Sequence, residues 1–119
     1  MNANEKDFIK KLNFRPKEKT SSVYYKKYAQ NYSIEINFEN ETINYGKSIK
    51  SDSKTTQNFS RLGNFVVLEC VDRLLTKGYN PKDIILEKLF PSGHGHSRKL
   101  DILVKKDKKS FLMIECKRR

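Results

Sequence analysis

The chain has 119 residues, enough for one hydrophobic core and too few for two. Hydrophobic residues make up 36% and charged ones 33%, and the formal net charge is +11, which points to polyanionic partners. No apolar run approaches the roughly 20 residues of a membrane span, and "MNANEKDFIKKLNF" lacks a signal-peptide core, so a soluble cytoplasmic protein with no membrane partner is expected. The excess charge lies at the two ends. Residues 1–30 hold eight Lys/Arg against three acids, residues 98–119 nine against three, and the middle balances. Such ends either bind phosphates or are solvated tails.

Residues 1–31 are polar and weakly patterned, and read as a basic arm with a short helix near 4–12. Tyr24, Tyr25 and Tyr28, with Lys26 and Lys27, could stack on single-stranded bases or pack on the domain. From residue 32 to 119 the chain reads as one domain. "YSIEINFENETINYG" alternates Ile34, Ile36 and Phe38 with polar residues, turns at Glu39-Asn40-Glu41 and returns through Ile43 and Tyr45. That period of two predicts a hairpin with one buried face. "GKSIKSDSKTTQ", residues 46–57, is a loop by composition.

"NFSRLGNFVVLECVDRLLTKG" carries Phe59, Leu62, Val66, Cys70 and Leu74 at helical spacing and predicts a helix over about 58–77. Asn58 or Thr56 can cap its start, and Gly78 supplies a left-handed stop. "DIILEKLF" predicts a strand, "PSGHGHSR" a glycine-rich loop, and "KLDILVKK" and "KSFLMIECK" two strands joined at Asp107-Lys108-Lys109. The last strand is apolar on both faces until Glu115, as for a central strand covered on both sides. The expected fold is therefore α/β in the α+β sense: a hairpin, then a long helix packed on a mixed, mainly antiparallel sheet.

Two acids interrupt the final pair of strands. A three-residue turn setting 106 opposite 110 would place Asp101 directly across from Glu115, with Lys117 one step along the same face. Carboxylates so close repel unless a cation lies between them. Paired hard oxygens suit Mg²⁺, which takes one or two carboxylates and keeps its waters for phosphate chemistry. A lysine beside them can orient the attacking water and offset charge building on a phosphodiester.

Asp101 followed by Glu115-Cys116-Lys117 resembles the signature of the PD-(D/E)XK nucleases, a superfamily that includes many restriction endonucleases. The longer stretch "TTQNFSRLGNFVVLECVDRLLTKGYNPKDIILEKLFPSGHGHSRKLDILV" resembles the amino-terminal segment of type I restriction–modification polypeptides. Those are restriction subunits and adenine-specific DNA methylases. The resemblance covers about residues 30–118. It implies a partial restriction-endonuclease-like core and a Mg²⁺-dependent endonuclease acting on duplex DNA, working with other restriction–modification subunits or domains. Asp101, Glu115 and the Cys116 backbone carbonyl would be metal ligands, Glu69 a further acid from the preceding helix, and Lys117 the catalytic lysine. The family's core continues with a helix and a strand beyond the third core strand. The 119 residues are thus expected to be the leading part of a longer protein, inactive or nearly so by themselves.

Each of these residues has a plainer reading. Asp101 and Glu115 could pair with Lys99, Lys117 or Arg118 as rim ion pairs, and Glu69 could be an exposed helix glutamate. His94 and His96 lack a third ligand for zinc. Their stretch reads first as a mobile glycine-rich loop between strands, whose functional version would approach DNA phosphates through Gly93, Gly95, Arg98 and Lys99. Cys70 and Cys116 read as buried free thiols. The alternative function is a DNA- or subunit-binding domain that does not cut, forming the amino-terminal part of an adenine-specific DNA methyltransferase. No methylase motif occurs in the 119 residues themselves.

Overall fold

In the computed structural model, residues 3–19, 21–91 and 97–116 are described. They form an α+β fold of two helices and two four-stranded sheets. The elements are α1 (Ala3–Lys11), β1 (Arg15–Pro16), β2 (Val23–Tyr28), β3 (Tyr32–Asn37), β4 (Thr42–Asn44), β5 (Lys50–Ser51), α2 (Gly63–Thr76), β6 (Ile84–Pro91), β7 (Ser97–Lys106) and β8 (Lys109–Ile114). A 3₁₀ turn at Pro81–Asp83 leads into β6, with the Asn80 side chain accepting from the Lys82 N–H.

The first sheet is an antiparallel meander in the order β1-β2-β3-β4. The expected hairpin is its β3–β4 half, with Ile34, Ile36, Phe38, Ile43 and Tyr45 buried. The Asn37 side chain accepts from the Glu39 and Asn40 N–H groups and closes the turn. Residues 15–28, read as arm, instead supply β1 and β2, and Tyr24 and Tyr28 are core residues. The pattern was hidden by Lys26, which lies between them on the same face. Its ammonium reaches Asp72 of α2 at 2.6 Å and the Leu12 carbonyl at 2.8 Å, and Tyr28 donates to the same carboxylate at 2.7 Å. A lysine can face a core when its charge is paired and hydrogen-bonded, as this one is.

The second sheet runs β5-β6-β7-β8, with β5 parallel to β6 and the other pairs antiparallel. The two-residue β5 falls inside the predicted loop. Helix α2 is the crossover between β5 and β6, and one buried cluster joins both sheets to both helices.

α2 begins at Gly63, five residues later than expected, because both candidate caps are engaged elsewhere. Asn58 accepts from Ser60 in a local turn, and Thr56 donates its N–H and hydroxyl to Glu87. Leu62 occupies the N-cap position with no side-chain bond. The far end stops as predicted. Gly78 has φ +99, and the Gly78 and Tyr79 N–H groups close onto the Leu75 and Leu74 carbonyls.

The β7–β8 turn has two residues, not three. Asp107 (φ 54) and Lys108 (φ 65) are both left-handed, and Lys106 pairs with Lys109. A bulge then admits Phe111 as an extra residue, so that Val104 pairs with Leu112 and Ile102 with Ile114, the register first expected. The covered strand of this sheet is β7, with Leu100, Ile102, Leu103 and Val104 buried. β8 is not the central strand expected from its two apolar faces. It pairs only with β7 among the described residues and leaves Phe111, Leu112 and Met113 54%, 36% and 59% exposed.

Candidate functional site

Asp101 sits in β7 between buried Leu100 and Ile102, half-buried itself. The register carried one step past Ile102–Ile114 sets Glu115 opposite it. Strand pairing ends at Ile114, however, and Glu115 is exposed just beyond. The backbone there turns inward. The Cys116 N–H donates to Asp101 Oδ2 at 2.7 Å, which fixes that carboxylate at the wall of a cavity of about 590 Å³. Thr55, Thr56, Arg61, Asn64 and Lys99 line the same cavity, so its surface carries hydroxyls, an amide, two cations and one acid.

The most firmly held acid beneath this wall is one that sequence patterning did not single out. Glu87 on β6 is fully buried, and it occupies the position across from Asp101, between the Leu86–Ile102 and Lys88–Leu100 pairs. Its backbone is left-handed (φ 51), a conformation that costs a non-glycine residue about 1 kcal/mol or more. The side chain offsets this with partners. Thr55 donates its hydroxyl, Thr56 its N–H at 3.2 Å and its hydroxyl at 3.1 Å, and Lys99 Nζ stands 3.4 Å away. Burial alone would raise the carboxyl pKa; these hydrogen bonds outweigh it and hold the group below its ordinary value. The signal was present in "DIILEKLF": an acid in an apolar strand, as at Asp101.

Of the other predicted residues, Glu69 lies partly exposed on α2 and pairs with Arg73 one turn on, at 3.0 Å. Among the described residues, no three His, Cys, Asp or Glu side chains gather as a metal-holding group, so Glu69, Asp101 and Glu115 do not form one. Lys99 is exposed but leans on Glu87 and Thr55. The predicted Gly93, His94, Gly95, His96 and Lys117, and the side chain of Arg98, lie outside the described residues. Cys116 contributes its N–H to Asp101, and burial, with the neighbouring Cys70 and the Asp101 charge, pushes its thiol pKa well up.

Mg²⁺ can be weighed against this donor set. Asp101 and Glu115 offer hard carboxylate oxygens, and two carboxylates are as many as that ion commonly takes from a protein. The residues present are therefore chemically suited to it. Among the described residues, no helix is long and apolar enough to cross a membrane. No protein-family model, curated protein or solved structure matches the chain.

Proposed function

We propose that the chain is a Mg²⁺-dependent endonuclease-type domain of PD-(D/E)XK kind, the amino-terminal part of a cytoplasmic type I restriction–modification protein, hydrolysing phosphodiester bonds in duplex DNA. The observation that carries the proposal is the Asp101 carboxylate, fixed by the Cys116 N–H at the wall of a polar cavity that Lys99 and Arg61 also line. Asp101, Glu115 and the Cys116 carbonyl would hold the ion. When bound, it would neutralise phosphate charge and acidify a water. The chain's own part is to position. Asp101 is pre-set by its hydrogen bond, and Lys99 and Arg61 attract the phosphate backbone into the cavity. Lys117 stands in sequence where it offsets the charge of the transition state.

Two measurements test this. Affinity for duplex DNA should fall steeply with salt, each neutralised phosphate adding about −0.9 to the slope of log K against log salt. A flat profile, or no binding at low salt, would leave the charge as solvation. Mn²⁺ titration followed by electron paramagnetic resonance should show binding weakened about tenfold or more by Asp101→Ala. Unchanged binding would move the metal elsewhere.

A second reading is the non-cutting DNA- or subunit-binding domain at the amino-terminal end of an adenine methyltransferase. It is favoured by the engagement of Glu69 with Arg73 and of Glu87 with Thr55, Thr56 and Lys99, which commits both acids to structural contacts. DNA binding with no metal binding would select it.

A further inference from the structure

Cys70 and Cys116 are 46 positions apart, on α2 and just past β8, yet their sulfurs lie 3.5 Å from one another. The Cys116 S–H donates to Cys70 Sγ. A disulfide needs about 2.05 Å, so closure asks for roughly 1.5 Å of sulfur movement, within reach of small side-chain rotations. Both residues are part-buried rather than sealed in the core, and Cys116 is also among the residues that line the polar cavity. Two core thiols that merely fill space need no mutual contact, and these two are in contact.

We propose that Cys70 and Cys116 are a site of reversible oxidation that takes a low-molecular-weight disulfide as its oxidant. In the first step the Cys116 sulfur attacks one sulfur of the small disulfide as it gives up its proton; burial holds this thiol protonated, so the step is slow and limits the rate. A mixed disulfide forms, the small S–S bond breaks, and one small thiolate leaves and takes up the proton that Cys116 lost. In the second step the Cys70 thiolate attacks the Cys116 sulfur of that adduct, and the second small thiol departs with the Cys70 proton. Two protein thiols are thereby oxidised to one disulfide while one small disulfide is reduced to two thiols. The product ties α2 to the segment carrying Glu115 and Cys116, and a small-molecule thiol reverses it.

The test uses the full 119-residue chain, folded, with oxidised glutathione, an acid quench and intact-mass measurement. Most of the protein should become lighter by about 2 Da, with the peptides of Cys70 and Cys116 joined, and dithiothreitol should restore the mass. The thermal midpoint of the oxidised form should lie roughly 10 °C higher, because the cross-link constrains a long loop of the unfolded chain. Cys70→Ser should stop at the glutathione adduct on Cys116. The proposal is overturned if the wild-type chain halts at the adduct, forms only cross-linked dimers, or stays unmodified while the same chain reacts once unfolded in urea. The wild-type result decides even if the serine variant does not fold. Neither DNA nor metal enters the experiment, so its failure would leave the nuclease reading untouched.

Discussion

Alanine in place of Asp101, Glu115 or Lys117 should lower Mg²⁺-dependent plasmid cleavage by the proposed restriction–modification protein by about 100- to 1,000-fold or more, and barely alter DNA affinity. The split follows from where each group acts. Metal-holding carboxylates and the lysine work on charge that develops in the transition state, so their loss appears in the rate. On the proposed reading, affinity would come from many lysines and arginines in two sequence clusters, of which any one is a small part. Gel analysis of plasmid nicking gives the rate, and fluorescence anisotropy gives the affinity. Equal cleavage by wild type and Glu115→Ala would sink the nuclease assignment and leave the binding-module reading in its place.

Glu87→Ala should destabilise the fold by about 3–5 kcal/mol, measured by urea denaturation. That is a large share of the roughly 5–15 kcal/mol that holds a domain of this size together. The cost arises from what is stranded. The Thr56 N–H and hydroxyl are buried and lose their acceptor, while the left-handed backbone at residue 87 loses the contacts that hold it. A loss below about 1 kcal/mol would mean that the threonines find water instead. The pH dependence has a definite sign. Because the folded-state pKa is depressed, the ionised carboxylate stabilises the fold above the ordinary glutamate value, and that stability is lost as pH falls through the lower folded value. Glu87→Gln should flatten this acid limb of the stability profile. An unchanged limb would place the titrating group elsewhere.

Much of the architecture was legible because it is locally periodic. Ile34, Ile36 and Phe38 announce a half-buried strand, and the apolar spacing along α2 with Gly78 behind it announces a helix and its stop. What escaped depends on partners distant in sequence. β2 escaped because Lys26 faces the core to meet Asp72, 46 residues away. β5 escaped because two residues in parallel pairing with β6 leave no periodic trace. The early helix start failed because Thr56 serves Glu87 rather than the helix. The register inside the last hairpin came out as expected although its turn did not, since the extra residue at Phe111 restores what the shorter turn removes. At the site, Asp101 stood out as a lone acid in an apolar strand. Glu87 showed the same mark, but its hydroxyl partners in residues 55 and 56 lie in a stretch that composition alone reads as loop.

The open edge of β8 has a colloidal consequence. A strand that exposes Phe111, Leu112 and Met113 and pairs on one edge only, among the described residues, is a template for pairing with another copy of itself. Lys105, Lys106, Lys108 and Lys109 crowd the turn at its start, and the whole chain carries +11, so two copies approaching edge to edge repel. That protection reaches only about 10 Å at 0.1 M salt, and it vanishes wherever a polyanion has neutralised the lysines. On the proposed DNA-binding reading, bound nucleic acid would also disarm these gatekeepers, and molecules crowded along one duplex would be those most exposed to strand-to-strand aggregation.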